Sequence, residues 1–140
     1  MTSTRFRLLT IGGLLLLQAS QIFALPECPE SGYRDNCFGS TTFASGSKYV
    51  GEFKYGSYNG QGTYTYSDGE KYVGGFKDGT FHEHGTYTYT NGDKYVGEFK
   101  SGKKNGRGLY THVDGTFEKG FFQDDKFLYE SKVKWVIKLS

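Results

Sequence analysis

Two alternating patterns take turns along the chain from Lys48 onward. In Lys48–Lys54 (KYVGEFK), Tyr49, Gly51 and Phe53 share one parity, while Lys48, Val50, Glu52 and Lys54 share the other. In Gly62–Ser67 (GTYTYS), Gly62, Tyr64 and Tyr66 alternate with Thr63, Thr65 and Ser67. A period of two, rich in Tyr, Phe, Thr and Val, predicts β-strands. The glycine load and the lack of a 3.6-residue period exclude helix. Asp68-Gly69, Asn91-Gly92 and Asp114-Gly115 follow the second pattern. They predict two-residue hairpin turns with both central residues at positive φ. The other connection, Tyr55–Gln61 (YGSYNGQ), predicts a longer, looser loop that uses Gly56 and Gly60.

The two patterns recur as a unit of 23 residues at Tyr49–Lys71, Tyr72–Lys94 and Tyr95–Phe117. The first copy shares 14 of 23 positions with the third and 13 with the second. Cys37–Lys48 continues the pattern as a half-unit in front, and Glu118–Lys126 as a half-unit behind. A repeat of this size marks stacked units that cannot bury a face alone. Glycine and rings share a parity, so a ring on one strand can lie over a glycine on its neighbour. The expected fold is all-β: one elongated, twisted antiparallel sheet of consecutive hairpins, about eight strands at roughly 4.8 Å spacing. It is open-ended and carries terminal caps. The structural positions are Tyr49, Gly51 and Phe53, then Tyr72, Gly74 and Phe76, then Tyr95, Gly97 and Phe99. Glu83 stands where the other copies have Gly60 and Gly106, which leaves the loop conformation there open.

Tyr-x-Gly-x-Phe followed by spaced glycines, three times in phase, resembles the MORN (membrane occupation and recognition nexus) repeat. The resemblance spans about Cys37 to Lys126. It implies a single sheet of β-hairpins and a role as an interaction or scaffold module, with lipid-headgroup binding attributed to some members. The family has no catalytic residues to carry over. Members with an export signal and no second domain resemble bacterial envelope proteins.

Composition changes the picture mainly at the ends. Residues 1–24 run from Arg5 and Arg7 into the apolar stretch Leu8–Leu17 and then small and polar residues, the order of a secretory signal peptide. The apolar run is about half of what a membrane span needs. The expected product is therefore exported, to the periplasm or the extracellular space. Removing the segment takes two basic residues from 17 Lys+Arg and leaves 15 Asp+Glu balanced. A balanced charge gives no general pull toward nucleic acid. A modest basic end remains at Lys100–Lys138. Cys28 and Cys37 predict a disulfide that makes 25–36 a cap over the front edge. Residues 127–140, with Val133, Trp135, Ile137 and Leu139 alternating against lysines, predict a capping strand behind, with an amphipathic membrane-surface segment as the alternative.

Candidate chemistry is sparse. His82 and His84 in FHEHG (Phe81–Gly85) have a spacing usable for two metal ligands, with Asp78 as a third candidate. The stretch is not H-E-x-x-H and reads as a solvated loop, so no metal or cofactor is expected. His112 replaces Tyr66 and Tyr89 and should join the ring face. Gly60-x-Gly62 and Gly106-x-Gly108 precede no helix and so make no phosphate cradle. Tyr64, Tyr66, Tyr87, Tyr89 and Tyr110 form a stripe that either packs as core or offers a partner apolar area with hydroxyls. The expected function is non-enzymatic: an exported binding or scaffold module of the cell envelope, meeting a protein or other envelope component through the aromatic face or loops. The alternative is association with anionic lipid through the basic end. Open sheet edges also admit edge-to-edge homo-oligomers.

Overall fold

The structure, a computed structural model, describes residues 24–130. The expected leader (1–24) lies outside the described residues up to position 23, and so does the Val133–Leu139 alternation. Among the described residues nine strands form one open sheet: β1 Cys37–Thr42, β2 Lys48–Lys54, β3 Ser57–Thr65, β4 Lys71–Lys77, β5 Thr80–Thr88, β6 Lys94–Lys100, β7 Lys103–Thr111, β8 Phe117–Gln123 and β9 Lys126–Glu130. Each pairs antiparallel with the next, in chain order from β1 to β9. The all-β hairpin sheet expected from the alternation is the fold. β9 pairs with β8 through Gln123↔Lys126 as β3 pairs with β2 through Lys54↔Ser57. The repeat therefore runs on past Lys126 into the segment expected to be a cap.

The two kinds of turn are the reverse of the sequence expectation. The connection expected to be loose is tight. Lys54↔Ser57 closes a two-residue turn in which Tyr55 (φ 52°) and Gly56 (φ 75°) are both left-handed. Asp78-Gly79, Ser101-Gly102 and Asp124-Asp125 repeat this geometry. It matches the twist of the flanking strands. The residues that suggested a loop lie inside the strand instead. Asn59, Gly60 and Gln61 together face Glu52 between the pairs Gly51↔Gly62 and Phe53↔Tyr58, so the surplus is a bulge. The Asp-Gly connection is the longer one. Tyr66 N–H donates to Glu70 O at 2.8 Å and Gly69 N–H to Tyr66 O at 3.1 Å, closing a three-residue loop in which Gly69 alone is left-handed (φ 96°). The acid is there for its side chain: Asp68 Oδ1 accepts the Glu70 N–H at 3.0 Å, as Asn91 and Asp114 accept from Asp93 and Thr116.

The core is a ladder of rings on one face. Tyr49, Tyr72 and Tyr95 are fully buried, and Phe53, Phe76, Phe99 and Phe122 nearly so. Each tyrosine lies over the glycines of the same row. A methyl group on Gly62 would come within 2.6 Å of the Tyr49 ring, on Gly85 within 2.4 Å of Tyr72, and on Gly108 within 2.3 Å of Tyr95. Gly51, Gly74 and Gly97 are closed by the backbone of the facing strand together with the hydroxyl ends. The hydroxyls are satisfied within their own strands: Tyr49 donates to Glu52 O (2.8 Å), Tyr72 to Gly75 O (2.8 Å) and Tyr95 to Glu98 O (3.1 Å). Glycine here makes space for a ring, and the ring covers bare backbone. Edge-on contacts link one unit to the next, with Tyr49–Phe76 and Tyr72–Phe99 centroids 5.0 Å apart.

At the front, the Cys28–Cys37 disulfide takes the ring's place. A methyl on Gly39 would meet Cys28 Cβ at 2.9 Å, where the later glycines meet tyrosine. Such a bond is consistent with an oxidising compartment. Pro26–Cys28 pairs with the outer side of β1 around Phe38, through Phe38 N–H to Pro26 O (2.8 Å) and Cys28 N–H to Phe38 O (2.9 Å). Arg34 donates to Ser40 O and Thr41 Oγ1, and its guanidinium sits 4.9 Å from the Phe53 ring centroid.

The exceptional Glu83 stays at positive φ like its counterparts, at 58° against 69° at Gly60 and 108° at Gly106. Its cause lies across the bulge. In the outer copies Glu52 and Glu98 face a glycine, and their carboxylates occupy the space a Cβ at Gly60 or Gly106 would need. In the middle copy Gly75 replaces that glutamate. Glutamate and glycine have exchanged strands.

Candidate functional site

The five tyrosines of the aromatic stripe are half-buried. Tyr64–Tyr66 and Tyr87–Tyr89 centroids are 4.7 Å apart, Tyr89–Tyr110 5.6 Å, and His112 joins the row 4.9 Å from Tyr110. Two hydroxyls are committed: Tyr87 donates to Glu70, and Tyr110 to Asp93 Oδ2 at 2.8 Å. Burial, then these carboxylates, push both phenols well above their ordinary range. Asp93 is buried, also accepts the Val113 N–H at 2.9 Å, and lies 3.6 Å from His112 Nδ1. Its carboxyl is held below the usual range, first by the Tyr110 hydroxyl and then by the Val113 amide. A shallow cleft remains among Phe43, Tyr58, Tyr64, Tyr66 and Phe81.

The third copy breaks the ring pattern. Tyr58 and Phe81 stack on Tyr49 and Tyr72 with centroids 3.7 and 3.8 Å apart. Lys104 holds the equivalent place. Its ammonium lies 4.9 Å from the Tyr110 ring and 5.6 Å from both Tyr89 and Tyr95, and donates to the Tyr89 hydroxyl at 3.2 Å. A cation over ring faces recovers part of what stacking supplies elsewhere.

The opposite face carries a groove of about 1150 Å³ running across β3 to β9. Its floor is the backbone of Gly74, Gly85, Gly97, Gly108 and Gly120. One wall is Val73, Thr86, Val96 and Leu109, successive partners in the register. The other holds His84, Arg107, Phe121 and Tyr129. Val73 and Val96 are 43% and 46% exposed. Sequence reasoning missed this face by following the rings. Its signal was available: Val50, Val73 and Val96 recur on the parity opposite to Tyr49, Tyr72 and Tyr95.

His82 and His84 lie in strand β5, flanking Glu83 in the bulge opposite Gly75, rather than in a loop. Asp78 sits in the two-residue turn, its amide directed to Asn59 Oδ1. Among the described residues no group of three or more His, Cys, Asp or Glu is placed to hold a metal ion. No described helix is long and apolar enough to cross a membrane, which says nothing of strands.

A one-layer open sheet of hairpin repeats, with each unit's tyrosine seated on the row of glycines, defines a class of repeat module. The MORN repeat family matches residues 49–71, 72–94 and 95–117, the same three units read from the periodicity. The chain belongs to the MORN-repeat proteins. No curated protein matches it.

Proposed function

We propose that this chain is a non-enzymatic binding or scaffold module that works in an exported, oxidising compartment, and that its groove face is the contact surface. The observation carrying this reading is the contrast between the faces. On one face the rings pack on each other, and the hydroxyls of Tyr87 and Tyr110 are taken by carboxylates of the same face. On the other, valines stand exposed around a recess that nothing in the described chain fills. The MORN repeats are compatible with such a role, and the leader-like residues 1–24 together with the disulfide support export.

Chemical cross-linking in envelope extract tests it with three forms of the chain: unaltered, Tyr66→Ala on the ring face, and Val73→Arg/Val96→Arg in the groove. Each form is checked by circular dichroism. A product formed by the first two and lost in the third supports the groove. A product lost only with Tyr66→Ala moves the contact to the aromatic stripe.

A further inference from the structure

The chain's near-neutral balance hides a segregation of charge. Lys48, Lys71 and Lys94 open β2, β4 and β6, and Lys54, Lys77 and Lys100 close them. All six share the parity of the valines, so they stand exposed on the groove face in two rows. Arg107 and Lys119 line the groove between those rows. The carboxylates of the same strands, Glu52 and Glu98, are turned onto the backbone: their Oε1 atoms accept the N–H groups of Gln61 (2.9 Å) and Arg107 (3.1 Å). Glu130 stands in the groove at its β9 end, beside Tyr129 and beyond the last rim lysines on β6, and other acids are spent elsewhere. Glu70 and Asp93 serve the tyrosines, and Asp68 and Asp114 close turns. One face is thus an apolar channel between two lysine rims.

Dimensions and hydrogen bonding narrow the occupant. The rims are six residues apart along each strand, roughly 20 Å, and successive lysines in a rim are two strands apart, roughly 9.6 Å. The floor's backbone groups are paired within the sheet, and the groove crosses the strands. An extended peptide lying along it would find no free ladder and would leave its own amides unpaired. A helix satisfies its amides internally, and two of its turns cover about 10.8 Å, close to the lysine spacing. Its diameter of about 10–12 Å leaves each flank within reach of a lysine side chain. A flat anionic surface would meet the rims and leave the channel empty.

We propose that the groove receives an acidic amphipathic helix of a protein partner, with its apolar stripe between the valine wall and the Phe121–Tyr129 end and its carboxylates on the two lysine rows. This rests on the groove being the contact surface. The rims choose the partner by charge, and the channel supplies the contact area.

The probe is a fluorescein-labelled synthetic helix of about 14 residues, two heptads, with Leu at a and d and Glu at e and g. A twin carries Lys at e and g. Anisotropy is measured with the full chain, with the rim variant Lys71→Glu/Lys94→Glu and with the floor variant Val73→Asp/Val96→Asp, all confirmed folded by circular dichroism. The acidic helix is expected to bind the unaltered chain, to weaken about tenfold or more with either variant, and to lose affinity as salt rises. The rim variant should gain the Lys twin. Equal binding of the twin to the unaltered chain, still lost with the floor variant, overturns the acidic partner and leaves the groove reading standing. Acidic binding that ignores the floor variant overturns both. Binding of neither helix overturns the inference. So does lysine-dependent sedimentation with phosphatidylserine vesicles in place of helix binding, because it assigns the rims to a membrane.

Discussion

The exchange of glutamate and glycine across the middle bulge makes a sharp energetic test. Gly75→Glu alone puts a Cβ 2.5 Å from the His82 carbonyl oxygen and 3.5 Å from Glu83 Cβ. It also brings a second carboxylate to a place already holding one. Overpacking of this kind costs about 1–3 kcal/mol. Glu83→Gly alone removes a non-glycine residue at φ 58°. That relief is about 1 kcal/mol, and the extra freedom of glycine in the unfolded chain offsets about 0.5–1 kcal/mol of it. The single change should therefore be close to neutral. If the two sites were independent, the double variant would be as unstable as Gly75→Glu. The outer copies say otherwise. With the pair restored to their arrangement, the new glutamate gains the space of the missing Cβ and accepts the His84 N–H, as Glu52 accepts Gln61. The double variant should return to within about 0.5 kcal/mol of the parent, a coupling of about 1–3 kcal/mol. Urea unfolding of the four proteins, followed by far-ultraviolet circular dichroism, gives the cycle. Additivity within error would refute the claim that glutamate and glycine are interchangeable between the two strands.

Lys104→Phe should stabilise the fold by about 0.5–1.5 kcal/mol and raise the urea midpoint, because the site is a ring-stacking position in the other copies; a lower midpoint would show that the cation suits Tyr89, Tyr95, Tyr110 and Phe122 better than a further ring does. Cys28→Ser should cost roughly 3 kcal/mol through the lost loop constraint. It should also expose Gly39, so thermal unfolding with and without reductant should differ in the parent and coincide in the variant. Stability should fall at both pH extremes. Asp93 is depressed, so its contribution is present above the ordinary aspartate range near 3.9 and is lost as pH drops through its lower folded value. Tyr87 and Tyr110 are raised, so their contribution is present below about pH 10 and is lost as pH climbs toward their folded values. Asp93→Asn should remove the acid-side loss assigned to it, and Tyr87→Phe part of the alkaline one, in melting temperatures measured across pH.

The period-two alternation and the 23-residue recurrence were enough to determine the all-β hairpin sheet and the shared parity of rings and glycines, but they gave about eight strands where the described residues form nine, and a loop where β3 begins at Ser57. That information is local: parity decides a side chain's face, and recurrence decides its neighbours. That a ring can lie over a glycine of the neighbouring strand followed from both, while the register decides that Tyr49 lies over Gly62. Turn type did not, because it depends on register. Tyr55-Gly56 reads as part of a seven-residue loop until the pairing Lys54↔Ser57 shows the surplus absorbed as a bulge opposite Glu52. The exchange of Glu83 with Gly75 likewise links residues on adjacent strands that no single motif joins. The disulfide was legible as a bond, but its position over Gly39, where a tyrosine sits in later units, required the fold. The groove shows the division most clearly. Its valines and lysines are regular in the sequence, yet only stacking strands at a fixed register turns them into an apolar channel between two charged rims.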